Sequence, residues 1–470
     1  MKNKKILAKK RFHFTGIKGV GMTALALILR DMGKQVSGSD LSQQFLTDRI
    51  LKQAKIKITH NFSANNIQMA EVVVYSGSHQ GKQNPEVQAA IQKNIPNITL
   101  AALLGLLTQK KKTIAVSGCH GKTTTTALAA YLSEKLTLNS SYYLGGPGFM
   151  NYEPGKWAKG KLFFVEADEY VIDPQTQSQA KFLSLHPQYI ICTNIDYDHP
   201  DVYPNQQLLI EAYTLFFNKL PQQGKLIING DDQTLLQLVN ENDYPHLTYG
   251  FKKHNQYRIQ PYNDTYQLFK QNKKMATIKP KLIGEHNLSN ITAVLIMYEQ
   301  LGYEFKTTTS LIAGFTGVKR RMEELYRVNQ SIIVDDYAHH PQEIRATLKA
   351  LRIKYPKHQI AICFQPHTYS RTKALFTDFV QALSKADVIG LLPIFASARE
   401  REDSQVNHKQ IAKALITKYK QTVYLLEQKK DWTNFIKDNQ KKTKNWVYVT
   451  MGAGDIYKKA ILIRNILQHD

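Results

Sequence analysis

Ser117-Gly118-Cys119-His120-Gly121-Lys122-Thr123-Thr124-Thr125-Thr126 follows the apolar run Thr113-Ile114-Ala115-Val116 and leads into a helix-forming stretch at 127–133. A strand, a glycine turn with Lys-Thr and a helix, in that order, predict an α/β unit that holds a nucleoside triphosphate. Backbone N–H groups of the turn and the helix N-terminus face the phosphates. Lys122 supplies a mobile positive charge, and the Thr123 and Thr124 hydroxyls lie where one can reach Mg²⁺. The spacing departs from the common form: only two residues separate Gly118 from Gly121, and Val116 stands where a first glycine is usual. A glycine turn that merely caps a helix would place Lys122 at the first turn equally well. The four threonines favour the phosphate reading, because such a run is poor helix material unless its hydroxyls are engaged.

Working outward, the 470 residues exceed what one hydrophobic core normally serves, so two to four domains are expected. Nothing approaches the roughly 20 apolar residues of a membrane helix. The first apolar run is broken by Gly16, Lys18 and Gly19 and does not read as a signal peptide. Cys119, Cys192 and Cys363 are far apart, with neither zinc nor disulfide spacing, which suits a reducing, cytoplasmic location. The net charge of +24 raises the question of nucleic acid. Lysine far outnumbers arginine, however, and is scattered over segments such as 110–112, 252–253 and 441–444, with no basic stripe interleaved with aromatics. The charge reads as a lysine-rich solvent face that attracts anionic substrates. Neither a nucleic-acid nor a membrane partner is expected, and the oligomeric expectation is a monomer or weak homodimer.

Along the chain, strands and helices alternate as in parallel α/β sheets. Residues 1–10 read as a basic lead-in and Arg11–Thr15 as a strand. Gly19-x-Gly21-x-x-Ala24 then opens a helix at 24–32, and Asp40 closes a second strand. By spacing alone this is a dinucleotide fingerprint and an NAD site, although it specifies only a pyrophosphate at a helix N-terminus. In the central region 161–169 runs from an apolar strand into Glu166, Asp168 and Glu169. Three carboxylates so close call for a compensating cation, and one is placed for Mg²⁺. A further strand ends in Asn194-Ile195-Asp196-Tyr197-Asp198-His199, where His199 either ligates a metal or closes a loop. Residues 257–279 read as hairpin edge strands, and Asn290 lies in a helix that runs to about Gln300. The last third repeats strands that finish in polar loops: Asp335-Asp336-Tyr337-Ala338-His339-His340-Pro341, then Gln365-Pro366-His367-Thr368-Tyr369-Ser370-Arg371, then Met451-Gly452-Ala453-Gly454-Asp455.

Together with Gly317-Val318-Lys319-Arg320-Arg321 and Glu285-His286-Asn287-Leu288-Ser289-Asn290, these pieces resemble, over nearly the whole chain, the Mur ligases of peptidoglycan synthesis. The resemblance is closest to the branch that joins L-alanine to UDP-N-acetylmuramate. It implies three α/β domains: a Rossmann-like UDP-sugar domain at 1–107, a central P-loop ATPase-like domain at 108–316, and a Rossmann-like amino-acid domain at 317–470. It replaces NAD with a UDP-sugar, so that Gly19 and Gly21 approach a diphosphate beside Asp40. It makes the short phosphate loop the ordinary form for the family. It implies that Lys122 holds the ATP phosphates within Gly118, Gly121, Thr123 and Thr124, that Thr123 and Glu166 hold Mg²⁺, and that His199 holds a second Mg²⁺. Asn290 is implied to meet the adenine, and Arg321 and Asp336 to reach the nucleotide as the third domain closes. Tyr337, His339 and Arg371 are implied to surround L-alanine. Where some members have an arginine after the histidine, this chain has Thr368, which leaves Arg371 with the alanine carboxylate. The reaction implied is carboxylate attack on the γ-phosphate of ATP, then amine attack on the acyl phosphate, with His199 or His339 as base.

Overall fold

The computed structural model describes residues 3–174, 176–263, 265–396, 403 and 405–469. It is an α/β protein with three main sheets. The first has five parallel strands in the order Lys57–Thr59, Gln35–Ser39, Arg11–Thr15, Val72–Tyr75, Asn97–Thr99. Its central strands are buried along their length, which explains the unbroken apolar run Val72-Val73-Val74-Tyr75. The basic lead-in contains a 3₁₀ turn, Asn3–Ala8, rather than extended chain.

The second sheet has ten strands, and Lys112–Ser117, which leads into the phosphate loop, lies inside it between Leu162–Glu166 and Tyr189–Cys192. All three run parallel, so Ser117, Glu166 and Cys192 come out at the same edge. Loops beyond the carboxyl ends of parallel strands are where such sheets build their sites. The strands Tyr257–Tyr262, Thr265–Lys270 and Lys273–Ile278 form the antiparallel edge that alternation and turn residues predicted. The helix after the phosphate loop is longer than expected. It spans Lys122–Lys135 and contains the entire threonine run. Two of the hydroxyls have partners that offset the poor propensity: Thr123 Oγ1 donates to Glu166, and Thr126 Oγ1 to the Lys122 carbonyl.

The chain divides into two compact units, and the first two sheets share one: Met1–Tyr197, Val202–Leu282 and Asn287–Val318. A single apolar cluster runs from Phe12, Phe14 and Leu27 around the first sheet to Phe163, Ile190 and Tyr213 around the second. The second unit comprises Asp198–Asp201, Ile283–His286 and Lys319–Asp470. Its sheet has six strands, led by the antiparallel Glu323–Val328, with Ser331–Asp336, Trp446–Met451, Gln359–Phe364, Val388–Leu391 and Val423–Leu425 parallel behind it. No described helix is long and apolar enough to cross a membrane.

Candidate active site

In the first unit the phosphate loop is shaped by backbone that only glycine adopts easily. Gly118 and Gly121 have φ of 126° and 83°. A Cβ on Gly121 would stand 2.7 Å from Asn290 Oδ1, so Asn290 packs directly on the loop. Asn194, beyond the end of Tyr189–Cys192, clamps the loop from the other side. Its Oδ1 accepts from the His120 amide at 3.0 Å, and its Nδ2 donates to the His120 carbonyl at 3.0 Å.

Of the three carboxylates at 166–169, two have a cation each and the third is held by neutral donors. Glu169 takes the Lys122 ammonium at 2.8 Å, and Asp168 takes Lys181 at 2.7 Å. Glu166 accepts from the Thr123 hydroxyl at 3.0 Å and the Gly145 amide at 2.7 Å. Burial works against charge on Lys122, yet Glu169 and Asp168 hold its pKa above the ordinary value. Burial also raises the Glu166 carboxyl, with the Gly145 amide opposing. Asp168 is lowered despite its burial because of Lys181 and Lys122. Lys122 Nζ also donates to the Gly118 carbonyl at 2.6 Å, so it folds back over its own loop. Thr123 Oγ1 and Glu166 Oε1 are two adjacent hard oxygens, the kind of donor Mg²⁺ takes beside phosphate oxygens, and they fit that ion.

The glycine turn of the first sheet is built differently. Gly19 caps the helix Val20–Asp31, which begins inside the glycine motif rather than at residue 24. Asp40 Oδ2 accepts from the Lys18 amide at 2.7 Å and Oδ1 from the Leu41 amide at 2.8 Å. Its carboxylate therefore orders the turn from within. Gly21 meets the Tyr143 hydroxyl: a Cβ there would lie 2.5 Å from it. Glu86 is fully buried at the start of helix Pro85–Gln92. It accepts from Thr15 Oγ1 at 2.7 Å, Ser39 Oγ at 2.6 Å and Asn66 Nδ2 at 2.8 Å. Burial opposes ionisation, but His13 and these donors keep its pKa below the ordinary value.

In the second unit Asp336 accepts from the amides of Met322 and Ala338, and burial pushes its pKa up to about 6 even beside Arg321. Arg321 pairs with Glu343 at 3.1 Å and lies over the Tyr337 ring at 5.1 Å. The His339 Nδ1 proton goes to the Tyr337 carbonyl at 2.9 Å, and burial lowers this imidazole to about 3. Arg371 Nε donates to Asp198 at 2.7 Å and its Nη2 to His199 Nδ1 at 3.4 Å. Burial would raise Asp198, but Arg371 holds it well below the carboxylate range.

Three family models match successive stretches: the Mur ligase family catalytic domain at 11–112, the Mur ligase middle domain at 116–298, and the Mur ligase glutamate ligase domain at 320–454. The UDP-N-acetylmuramate–L-alanine ligase of Endomicrobium trichonymphae is 34% identical, over 96% of this chain and 98% of that protein. Its counterpart from Streptococcus gordonii is 35% identical over 95% of each. The chain belongs to the Mur ligase family. Among solved structures, UDP-N-acetylmuramate-alanine ligase from Thermotoga maritima superposes with a TM-score of 0.78 at 25% identity, covering 98% of this chain and 100% of that one. The murein peptide ligase of Psychrobacter arcticus, at 20% identity over 98% and 99%, shares the fold with a TM-score of 0.72.

Within this Mur ligase the first unit brings Gly118, Gly121, Lys122, Thr123, Thr124, Glu166 and Asn290 together around the phosphate loop. It places Gly19, Gly21 and Asp40 at the first glycine turn. The second unit gathers Arg321, Asp336, Tyr337 and His339, with Arg371 near them: its charge is felt at His339. His199 belongs to this second unit, beside Asp198 and Arg371. Sequence reasoning missed Glu86, Asn194 as a clamp, and Arg320. Arg320 pairs with Asp335 at 3.0 Å and bonds the Gly452 carbonyl at 2.8 Å, between the rings of Tyr337 and Tyr457. Adjacent Arg320 and Arg321 were the available signal, because neighbouring residues at a loop point to different partners.

Proposed function

We propose that the protein is an ATP-dependent ligase that joins L-alanine to the lactyl carboxylate of UDP-N-acetylmuramate through an acyl phosphate, in the cytoplasmic synthesis of peptidoglycan precursor. The observation that carries this reading is a glycine loop on which Lys122, Thr123 and the buried Glu166 converge, in a chain of which relatives of that name match 95–96%. The division of labour we assign is UDP-sugar at 1–107, ATP at 108–316 and amino acid at 317–470, in a monomer or weak homodimer. The +24 charge is assigned to solvent and anionic substrates, not to nucleic acid.

Two anions, a carboxylate and a triphosphate, must approach each other, so cationic neutralisation is the first requirement. Lys122 answers it by moving from Glu169 and the loop carbonyls onto the phosphates. Mg²⁺, held by Thr123 and Glu166, would supply further neutralisation of phosphate charge. Gly19 and Gly21 admit the UDP-sugar diphosphate to the helix N-terminus, and Asp40 holds that turn in shape. Asn290 packs on the phosphate loop beside the nucleotide, with Arg321 and Asp336 serving the same ligand. Around L-alanine, His339 presents an Nε2 lone pair, because its Nδ1 proton is committed to Tyr337. An imidazole held near 3 orients an ammonium group and does not take its proton. Arg371 serves the alanine carboxylate from a position set by Asp198.

A phosphate-release assay tests the reading. Purified protein with ATP, Mg²⁺ and UDP-N-acetylmuramate is given L-alanine, glycine, L-serine or a preformed peptide in turn. Turnover that needs both the UDP-sugar and L-alanine is expected, with glycine and L-serine poorer by roughly 10–200-fold, the worth of a methyl-sized difference. Turnover with the peptide alone, or none with L-alanine, overturns it.

A further inference from the structure

Lys18 lies inside the glycine turn between Gly16 and Gly19, where a lysine is expected to point its ammonium at an anion. It does not. The residue is 1% exposed, and each of its polar groups is spent on the segment 40–48. Its amide donates to Asp40 Oδ2 at 2.7 Å, and its carbonyl accepts from Thr47 Oγ1 at 2.6 Å. Its ammonium reaches the carbonyls of Leu41 and Gln43, each at 2.9 Å, and Asp48 Oδ1 at 3.1 Å. The other oxygen of Asp48 accepts from the Phe45 amide at 2.6 Å, so one carboxylate joins the lysine to the tip of the segment. All three ammonium protons have acceptors, as a buried polar group requires.

The tie runs in both directions. The amides of Gly16 and Ile17 bond the Ser39 carbonyl, one residue before Asp40, so the turn and the 40–48 segment form one hydrogen-bonded body. The same segment exposes Leu41, Phe45 and Leu46 at 45%, 38% and 40%. The ring of Phe45 is 5.7 Å from the Lys18 ammonium. The amides of residues 16–19 are all engaged within this body, so where 40–48 moves, the turn and the helix N-terminus it carries at Val20 move with it. We infer that Lys18 is a positioning residue for the UDP-sugar: its buried ammonium locks 40–48 onto the glycine turn and so sets the helix N-terminus at Val20 that receives the diphosphate. This rests on the assignment of the UDP-sugar to residues 1–107.

The full chain, as wild type and as Lys18→Met, Lys18→Arg and Asp48→Asn, is assayed for phosphate release, varying UDP-N-acetylmuramate and ATP separately. Melting temperature and calorimetric binding of UDP are measured in parallel. Lys18→Met leaves three acceptors without a donor, and KM for the UDP-sugar and Kd for UDP are expected to rise about tenfold or more. KM for ATP and kcat stay within about twofold of wild type, because the phosphate loop is not touched. Lys18→Arg, which keeps the charge, recovers part of the loss. Asp48→Asn shifts KM in the same direction by less and carries the test if Lys18→Met does not fold. A lower melting temperature with unchanged KM for the UDP-sugar, or an equal rise in KM for ATP, overturns the inference. Inactive wild type overturns the proposed function and this inference together, whereas active wild type with unaffected variants overturns this inference alone.

Discussion

Lys122 and Glu169 show how a residue proposed for catalysis can also be a structural one. The ion pair at 2.8 Å is buried, with side-chain exposures of 13% and 1%, so removing one partner strands the other charge. Breaking a buried pair this way costs about 3–5 kcal/mol, whereas neutralising both partners costs far less. Lys122→Met is therefore expected to lower the melting temperature, and Lys122→Met with Glu169→Gln to restore most of it. Turnover falls by about 10²-fold or more in both, as when a charge-stabilising group is lost, while UDP binding is unchanged. Thermal melts, phosphate release and UDP calorimetry check these outcomes; a double variant no more stable than the single would refute the pairing argument. The lysine was legible in the sequence, and so was the need for cations near 166–169. Their assignment was not, because Lys122 and Glu169 are 47 residues apart and local spacing is silent about which carboxylate each lysine meets.

At the level of elements, the short helix Tyr369–Ala374 starts on Thr368, whose φ of 69° and ψ of 141° are strained for a β-branched residue. Such conformations cost about 1–3 kcal/mol and persist where neighbours impose them. Here the Thr368 amide bonds the Phe395 carbonyl, and Thr372 bonds the Thr368 carbonyl at 2.7 Å, fixing the turn before Arg371. Thr368→Gly is expected to stabilise the fold by about 1 kcal/mol after the entropy cost of glycine. It is also expected to raise KM for L-alanine several-fold, because Arg371 loses its rigid lead-in; a melt and an L-alanine titration read both effects. Gly21→Ala tests a different junction. The Cβ would press on the Tyr143 hydroxyl at 2.5 Å, so a drop of several degrees in melting temperature is expected. Elements themselves were readable from the sequence, as with the strand Arg11–Thr15. The start of Lys122–Lys135 was misjudged because propensity counts threonines against a helix while tertiary hydroxyl partners support them.

For the whole molecule, buried histidines make stability depend on pH. Burial lowers His339 to about 3 and His367 well below the ordinary value. Each is neutral when folded and protonates near 6.5 when unfolded, so the unfolded chain binds more protons below that pH and stability falls as pH drops. Asp336 acts in the opposite sense. Raised to about 6 by burial, its folded form binds the extra proton between about 3.8 and 6, so its contribution is lost as pH rises through 6. Two histidines outweigh one aspartate, and unfolding between pH 6.5 and 5 takes up about one proton, a loss of roughly 1–2 kcal/mol. Denaturant titrations at pH 7, 6 and 5 check it, and a flat profile would refute it. The sequence by itself determined the α/β order, the phosphate loop with its compressed spacing, the antiparallel edge at 257–279 and the family resemblance. These are local patterns of glycine, apolar period and strand-end polarity. Only the tertiary structure decided that Gly21 packs on Tyr143, that Lys18 locks 40–48, that Asp40 caps its own turn, and that Arg371 is committed to Asp198, 173 residues away. Parallel sheets join distant segments at their carboxyl ends. The partner of a buried charge is therefore set by strand order and register, which no local period encodes.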